Sequence, residues 1–356
     1  MRILMVIQIG LNTNPYVSSL ADGLVKCGHD VKCNLDLFWN SFSDFDLLYF
    51  QWPEAIFEGR KEKIDLEKLS MHLNHIKETG VKMVITCHNL HPHNNDTKTT
   101  DLYNLVYSKV DAFHHMGKKS YNLLKEKYPH QYHFIAPHHI ADGLWDYPIG
   151  QSDARRKLHI SNNNIVISSF GAFRNEEEVR LFVDMAHDVS SWHLTFLAPR
   201  IPMERFYHGR HIGRSLLSLY KRLKYKMIGI KYSGYLTEDE LKDWLSASDI
   251  VFIQRIEILN SGNLPLAFSA KKIVVGPDVG NVGEILNETG NYVFNPNDRS
   301  SVRQSVLNAV NDMRNSNLLG IQNYHYARNN WSVSTVCGLI DKELAIIRRN
   351  QVVEYK

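Results

Sequence analysis

The stretch from Asp249 to Leu286, DIVFIQRIEILNSGNLPLAFSAKKIVVGPDVGNVGEIL, allows few folds. Asp249 introduces an apolar run, Ile250 to Ile253, short enough for a buried parallel strand. Asn260-Ser261-Gly262-Asn263 then supplies small and capping residues where a helix begins. Ile273-Val274-Val275 reads as the next strand, and Asp278 with Gly280 as the turn after it. A helix N-terminus that follows a strand offers free backbone N–H groups to a phosphate, so the stretch points to a nucleotide-type ligand.

The same rhythm recurs along the chain. Arg2 to Gln8, Asp30 to Asn34, Leu47 to Gln51, Val81 to Cys87, Ala112 to His114 and Tyr132 to Ala136 read as strands. Pro15 to Lys26 and Leu66 to Thr79 read as helices among them. Gly, Pro and Asp cluster from Asp142 to Asp153 and mark a linker. A second series runs through Ile165 to Phe170, His193 to Ala198, Ile230 to Ser233, the opening stretch and Tyr292 to Phe294. The prediction is α/β: two doubly wound, Rossmann-like domains, 1–148 and 149–331, followed by a helical segment over 332–350. Ligands of such sheets bind outside the carboxyl ends of the strands, which places the expected site in a cleft between the domains.

At 356 residues the chain is long enough for two cores. No apolar run approaches the roughly 20 residues that span a bilayer, and MRILMVIQIG reads as a first strand rather than a secretion signal. Cys27, Cys33, Cys87 and Cys337 form no CxxC, so neither a zinc site nor a disulfide framework is expected, and a cytoplasmic location follows. The formal charge of +3 is unevenly spread: Arg200 to Lys226 holds eight Lys/Arg against Glu204 alone. Within it, SLLSLYKRLKYK sets Leu216, Leu219, Leu223 and Tyr220 on one helical face beside the cations. Two readings stand: a solvated surface helix whose leucines pack inward, or a basic amphipathic helix over 205–226 that meets an anionic membrane surface or a phosphorylated partner. Nothing points to nucleic acid.

Several constellations carry chemistry. Ser169 to Arg174, SFGAFR, ends the first strand of the second series, where an Arg after a Gly can hold phosphate by its fork of donors. His88-Asn89-Leu90-His91 follows the strand Val81 to Cys87. An imidazole there suits orienting or deprotonating a hydroxyl better than binding metal, since no HExxH and no acid at a ligand interval accompanies it. Asp44-Phe45-Asp46 matches a metal-holding DxD in form, yet it sits where Asp introduces a buried strand. Gly10, with Asn12 and Asn14, lies in the first β–α turn but is no GxGxxG, which argues against a dehydrogenase.

Taken in order, the Gly10 turn, YFQWPE (Tyr49 to Glu54), ITCHNLHPHN (Ile85 to Asn94), HHMGKKS (His114 to Ser120), Ala136-Pro137-His138, FGAFR (Phe170 to Arg174) and GYLTEDELKDWLSASDIVF (Gly234 to Phe252) resemble the GT-B glycosyltransferases. The likeness is to the large retaining group of bacterial capsule, exopolysaccharide and O-antigen synthesis; it spans nearly the whole chain and implies that the helix over 332–350, after Trp331, packs back on the first domain. It implies a UDP- or GDP-sugar donor bound by the second domain and a glycan acceptor, lipid-linked, bound by the first, with no cofactor and no metal. On the donor side it implies Gly10, His138, Arg174, Asn260, Ser261, Gly262, Asn263, Leu264 and Glu284, and on the acceptor side Asn14, Trp52, His88, Asn89 and His91. The catalytic group it implies is His88, Arg174 and Glu257.

The chain departs from the pattern in three places. The Lys three residues after the Arg is Glu177 here. The first Glu of the Glu-x7-Glu motif falls on Glu257 or, shifted by one, Ile258, and the second falls on Leu266 or Ala267. Lys271 replaces a Gly. Arg255, Lys271 and Lys272 are the cations available to stand in for the missing Lys. The expected function is hexosyl transfer to a glycan in cell-surface polysaccharide assembly, in the cytoplasm and at the inner membrane face. The alternatives are a catalytically weak homologue that binds glycan or a partner without transfer, and a sugar-nucleotide epimerase.

Overall fold

In the computed structural model the strands β1 (Arg2–Met5), β2 (Asp30–Cys33), β3 (Leu47–Phe50), β4 (Lys82–Thr86), β5 (Ala112–His115) and β6 (Tyr132–Ile135) form one parallel sheet in the order β2-β1-β3-β4-β5-β6. The residues described are 1–8, 10, 15–92, 96–140, 150–191, 193–203 and 211–353, with side chains described outside 211–215 and 350–353. Helices α1 (Pro15–Lys26), α2 (Leu35–Asn40), α3 (Leu66–Thr79), α4 (Thr97–Lys109) and α5 (Lys118–Lys127) make the connections. Their ends follow local chemistry. Asp65 Oδ1 accepts the Lys68 N–H at 3.0 Å to cap α3, and Gly80, with φ of 80°, ends it in a conformation open to glycine.

A second sheet, also parallel throughout, has the order β12-β11-β10-β7-β8-β9. After α6 (Gln151–Lys157) come β7 (Ile165–Ser168), α7 (Glu176–Val189), β8 (Leu194–Leu197), α8 (His211–Ile228), β9 (Ile230–Lys231) and α9 (Glu238–Ala247). The order continues with β10 (Ile250–Phe252), α10 (Asn263–Ser269), β11 (Ile273–Pro277), α11 (Gly280–Glu288), β12 (Tyr292–Phe294), α12 (Arg299–Asn315) and α13 (Leu318–Asn330). The chain divides into Met1–Ala141 with Asn329–Lys356, and Asp142–Arg328. The boundary expected at residue 148 lies in 141–149, outside the described residues.

The final helix, α14 (Val333–Val353), belongs to the first unit. It packs Val336, Cys337, Ile340, Leu344 and Ile347 among Val17, Leu20 and Leu24 of α1. The two helices meet closely at Gly23, where an added Cβ would stand 2.4 Å from Cys337 Sγ. Trp331 is buried, and its carbonyl accepts the Ile140 N–H at 2.8 Å.

One device recurs at the amino ends of the strands. Asp46, Asp111 and Asp249 each precede a strand and accept a backbone N–H from the neighbouring strand, from Arg2 at 2.7 Å, Met83 at 2.8 Å and Val166 at 2.8 Å. This gives Asp44-Phe45-Asp46 a structural role: Asp46 ties β3 to β1 at the end of the sheet remote from the ligand loops. Asp249 carries more, because its Oδ2 also takes Arg155 Nη2 at 2.6 Å and its Oδ1 takes Gln151 Nε2 at 2.9 Å.

The basic helix departs from the inward-packing reading. Among the described side chains of α8, Ser218 and Tyr225 are buried, whereas Leu216, Leu219, Tyr220 and Leu223 are exposed. Packing against β9 and α7 at the sheet edge selects the face with the small serine and the long tyrosine. Among the described residues no helix is long and apolar enough to cross a membrane.

Candidate functional site

In the second unit β7 is followed by β8 on one side, while β10, paired to β7's other edge, is followed by β11 on the far side. The connections thus diverge between β7 and β10, where the carboxyl ends open a crevice for a ligand. The polypeptide leaving β7 contributes Ser169, Gly171 and Arg174, and the polypeptide leaving β10 contributes Gln254 and Arg255. Gln254 and Ser169 are fully buried and bonded side chain to side chain. Gln254 Nε2 also donates to Gly171 O at 2.8 Å. Arg255 Nη1 donates to Ala172 O at 2.8 Å and to the buried carboxylate of Glu178. A Cβ on Gly171 would lie 2.9 Å from Gln254 Nε2, 3.0 Å from Asn263 Nδ2 and 3.2 Å from Arg255 Nη2. Three side-chain nitrogens therefore converge on a position that only glycine leaves open.

Positive charge is concentrated around Arg255. Burial first, and then the positive charges of Arg174 and Arg200, hold the Arg255 guanidinium down to about 10 against the opposing effect of Glu178. Arg174 is exposed, and its backbone N–H is held at 2.7 Å by Glu178 Oε2. Arg200, at the carboxyl end of β8, lies over the Tyr235 ring at 5.4 Å. Among the described residues, the charges of Arg174 and Arg200 thus act on Arg255 together with the buried carboxylate of Glu178. Of the three cations available to replace the missing Lys, Arg255 is the one placed here. Lys272 is instead buried at the amino end of β11, where its Nζ donates to Ser248 O at 2.7 Å, and Lys271 lies over the Tyr324 ring at 5.0 Å. Glu177 points into a surface hollow with Arg180, Asp184 and Arg299.

The other donor-side candidates divide. Asn263 joins the Gly171 cluster, and Ser261, Gly262 and Leu264 lie at the start of α10 beside it, with Gly262 at the cap position and no side-chain cap. Asn260 Oδ1 accepts Asn281 Nδ2 at 2.8 Å, which braces the loop against α11. Gly280, with φ of 59°, passes so near this loop that a Cβ would stand 2.1 Å from Ile258 O. Glu257 is exposed and lines a hollow with Asp278, Asn295 and Asn297 at the carboxyl ends of β11 and β12. Glu284 lies on α11, and its charge, after burial and Glu288, helps to raise the Tyr326 phenol of α13.

In the first unit the strand ends gather aromatic rings. His88 follows β4, donates from Nε2 to Gln51 Oε1 at 3.0 Å, and stacks on Trp52 at 4.1 Å between centroids. Tyr16 of α1 meets the His88 ring edge-on at 5.2 Å and lies against His138 at 4.6 Å and His139 at 4.5 Å. Burial holds His88 well below its ordinary pKa, helped by His138 and His114, and takes His138 and His114 down to about 4. These imidazoles are neutral at physiological pH, so His88 is equipped to accept or relay a proton and not to supply a fixed charge. The Gln51 Nε2 donor beside it is buried and has no hydrogen-bond partner.

Tyr16 thus brings His88 and His138 together, with Trp52 stacked on His88, and nothing in the sequence singles Tyr16 out. Asn89 uses its carbonyl to accept the Tyr107 hydroxyl at 2.6 Å, so its role here is to hold the loop. His91 is exposed, as is Gly10. Asn14 lies outside the described residues. Much of the remaining histidine cluster is structural. His114 Nε2 donates to Ala136 O at 2.8 Å while its Nδ1 accepts from Tyr49 Oη at 2.7 Å, and His115 bonds His133 at 2.9 Å.

No family model and no curated protein matches the sequence. Solved structures match the fold across nearly the whole chain. HepE from Anabaena in complex with UDP-glucose superposes with a TM-score of 0.72 at 12% identity, over 97% of this chain and 99% of that one. Sucrose-phosphate synthase from Thermosynechococcus elongatus gives 0.70 at 11%, over 97% and 98%. WaaG, a glycosyltransferase involved in lipopolysaccharide biosynthesis, gives 0.62 at 10%, over 95% and 98%. The chain therefore has the GT-B glycosyltransferase fold, two Rossmann-like domains each built on a parallel sheet.

Proposed function

We propose that this chain, with its GT-B fold, is a glycosyltransferase that moves a hexose-type sugar from a UDP- or GDP-sugar to a glycan acceptor, lipid-linked, in cell-surface polysaccharide assembly. The observation that carries the proposal is the convergence of Arg174, Arg200 and Arg255 where the connections of the second sheet diverge. Guanidinium groups there match a diphosphate in charge and donor geometry. As the sugar leaves, negative charge grows on the β-phosphate, and donors fixed beforehand stabilise it without reorganising. Arg255 takes the place of the missing Lys, and Glu178 fixes the fork of Arg255 and the backbone of Arg174 at once. Asn263 and the Ser261 to Leu264 turn serve the sugar, and Glu257 serves the donor from its hollow. In the first unit neutral His88, with Gln51 and Trp52, offers a proton acceptor and an aromatic wall to a sugar hydroxyl. The HepE structure with UDP-glucose supports a nucleotide-sugar ligand for this fold.

Nucleotide release, measured over a panel of UDP- and GDP-sugars with lipid-diphosphate acceptors, tests the reading. Acceptor-dependent release from one donor is expected; none across the panel removes it. A second reading, binding without transfer, is favoured by the apolar residues where a carboxylate is usual, since Ala267 is wholly buried in α10. It predicts nucleotide binding with no turnover.

A further inference from the structure

Helix α8 carries a second surface that sugar transfer does not use. Of the fifteen large hydrophobic side chains exposed among the described residues, Leu216, Leu219, Tyr220, Leu223 and Met227 lie on this one helix. At about 100° per residue they fall within an arc of roughly 100°. Ser218 and Tyr225, which are buried, occupy the opposite side. The stripe thus faces directly away from the sheet edge on which α8 packs. Lys224 flanks it on one side and Lys226 and Arg222 on the other, by the same helical geometry. No Asp or Glu occurs between Arg205 and Thr237. A contiguous apolar patch of this kind marks an interaction surface.

We propose that α8 docks the protein on an anionic lipid surface, its leucine stripe entering the headgroup–acyl boundary and its flanking cations lying among the phosphates. Charge decides this occupant. A second copy meeting the stripe about a two-fold axis would bring the two cation rows together with no acid on the helix to offset them. A layer of anionic headgroups supplies the missing negative charge along both flanks, and the acyl region takes the leucines. A helix lying in the interface needs no length to span it, in keeping with the 18 residues of α8.

Co-sedimentation of the full chain with phosphatidylcholine vesicles, with and without phosphatidylglycerol, tests this. Pelleting that requires phosphatidylglycerol and is released by salt is expected. Leu219→Gln with Leu223→Gln, and separately Lys224→Glu with Lys226→Glu, should each weaken partitioning by about tenfold or more. The side chains are solvent-facing, so an unchanged thermal transition certifies that each variant is folded. No pelleting, or pelleting unaltered by both double variants, overturns the proposal. So does a lipid-free dimer that Leu219→Gln with Leu223→Gln turns into a monomer, because the stripe would then belong to a second copy. Sugar transfer is not invoked, and the result stands whether or not a donor is found.

Discussion

Arg255 and Glu178 form a buried ion pair in which one carboxylate oxygen serves two arginines. Glu178 Oε2 takes the Arg255 guanidinium and also the backbone N–H of Arg174 at 2.7 Å. Both side chains are less than a tenth exposed. Glu178 therefore fixes the start of α7 and the fork of Arg255 together, while the Arg174 side chain stays free to meet solvent or ligand. A buried pair of this kind is weak as a source of stability but costly to break on one side.

Glu178→Gln should destabilise the protein by about 3 kcal/mol or more, because it leaves the Arg255 charge buried without its counterion. Arg174→Ala, at an exposed side chain, should leave the thermal transition within about 0.5 kcal/mol of wild type while lowering turnover about a hundredfold. Thermal melts beside nucleotide-release rates check the contrast. Equal stability losses in the two variants would contradict it.

The two glycines near the site should respond differently. Gly280→Ala places a methyl 2.1 Å from the Ile258 carbonyl at a positive φ, and neither backbone can yield cheaply. Loss of soluble, folded protein is expected. Gly171→Ala meets the ends of Gln254, Asn263 and Arg255, which can swing aside. It should fold nearly as well as wild type and bind nucleotide more weakly, as calorimetry would show.

Acid should act on the first unit through its histidines. His114 and His138 are held neutral to about 4 by burial, whereas in the unfolded chain they take protons near 6.5. The unfolded state binds more protons between those values, so stability is full above about 6.5 and falls as pH drops toward 4. Melting temperatures measured between pH 7 and pH 5, above the range where ordinary carboxylates titrate, should fall. A flat profile there would contradict neutral burial of these rings.

His88 should be needed for the acceptor step and not for the donor. His88→Asn removes the proton acceptor but leaves the arginines of the second unit untouched. Turnover should fall about a hundredfold or more with UDP or GDP affinity unchanged. A matching loss of nucleotide affinity would place His88 on the donor instead.

Much of this architecture is legible in the residues. Both strand series, the helices over Pro15 to Lys26 and Leu66 to Thr79, and the helicity of the final segment follow from apolar period, caps and glycines, whereas the return of that segment to the first unit is implied by the family likeness alone. The strands prove shorter than the apolar runs, since Ile253 and Ala136 are buried without belonging to a strand. Arg174, Asn263 and His88 announce themselves by following strands. Tyr16, Glu178 and Gln254 do not, because each acts through partners far away in sequence, and composition assigns a Tyr or Glu on an amphipathic helix to core or solvent. Leu216, Leu219 and Leu223 teach the converse: a helical period shows that a face exists but not whether the fold covers it.

The account rests most heavily on the second unit's arginines as a diphosphate site. Calorimetric titration of the purified chain with UDP, GDP and their sugars addresses it directly. It predicts that one nucleotide binds, and that Arg174→Ala weakens the binding by about tenfold or more while the fold is retained. Failure of every nucleotide to bind the folded protein, or full affinity in Arg174→Ala, would contradict it.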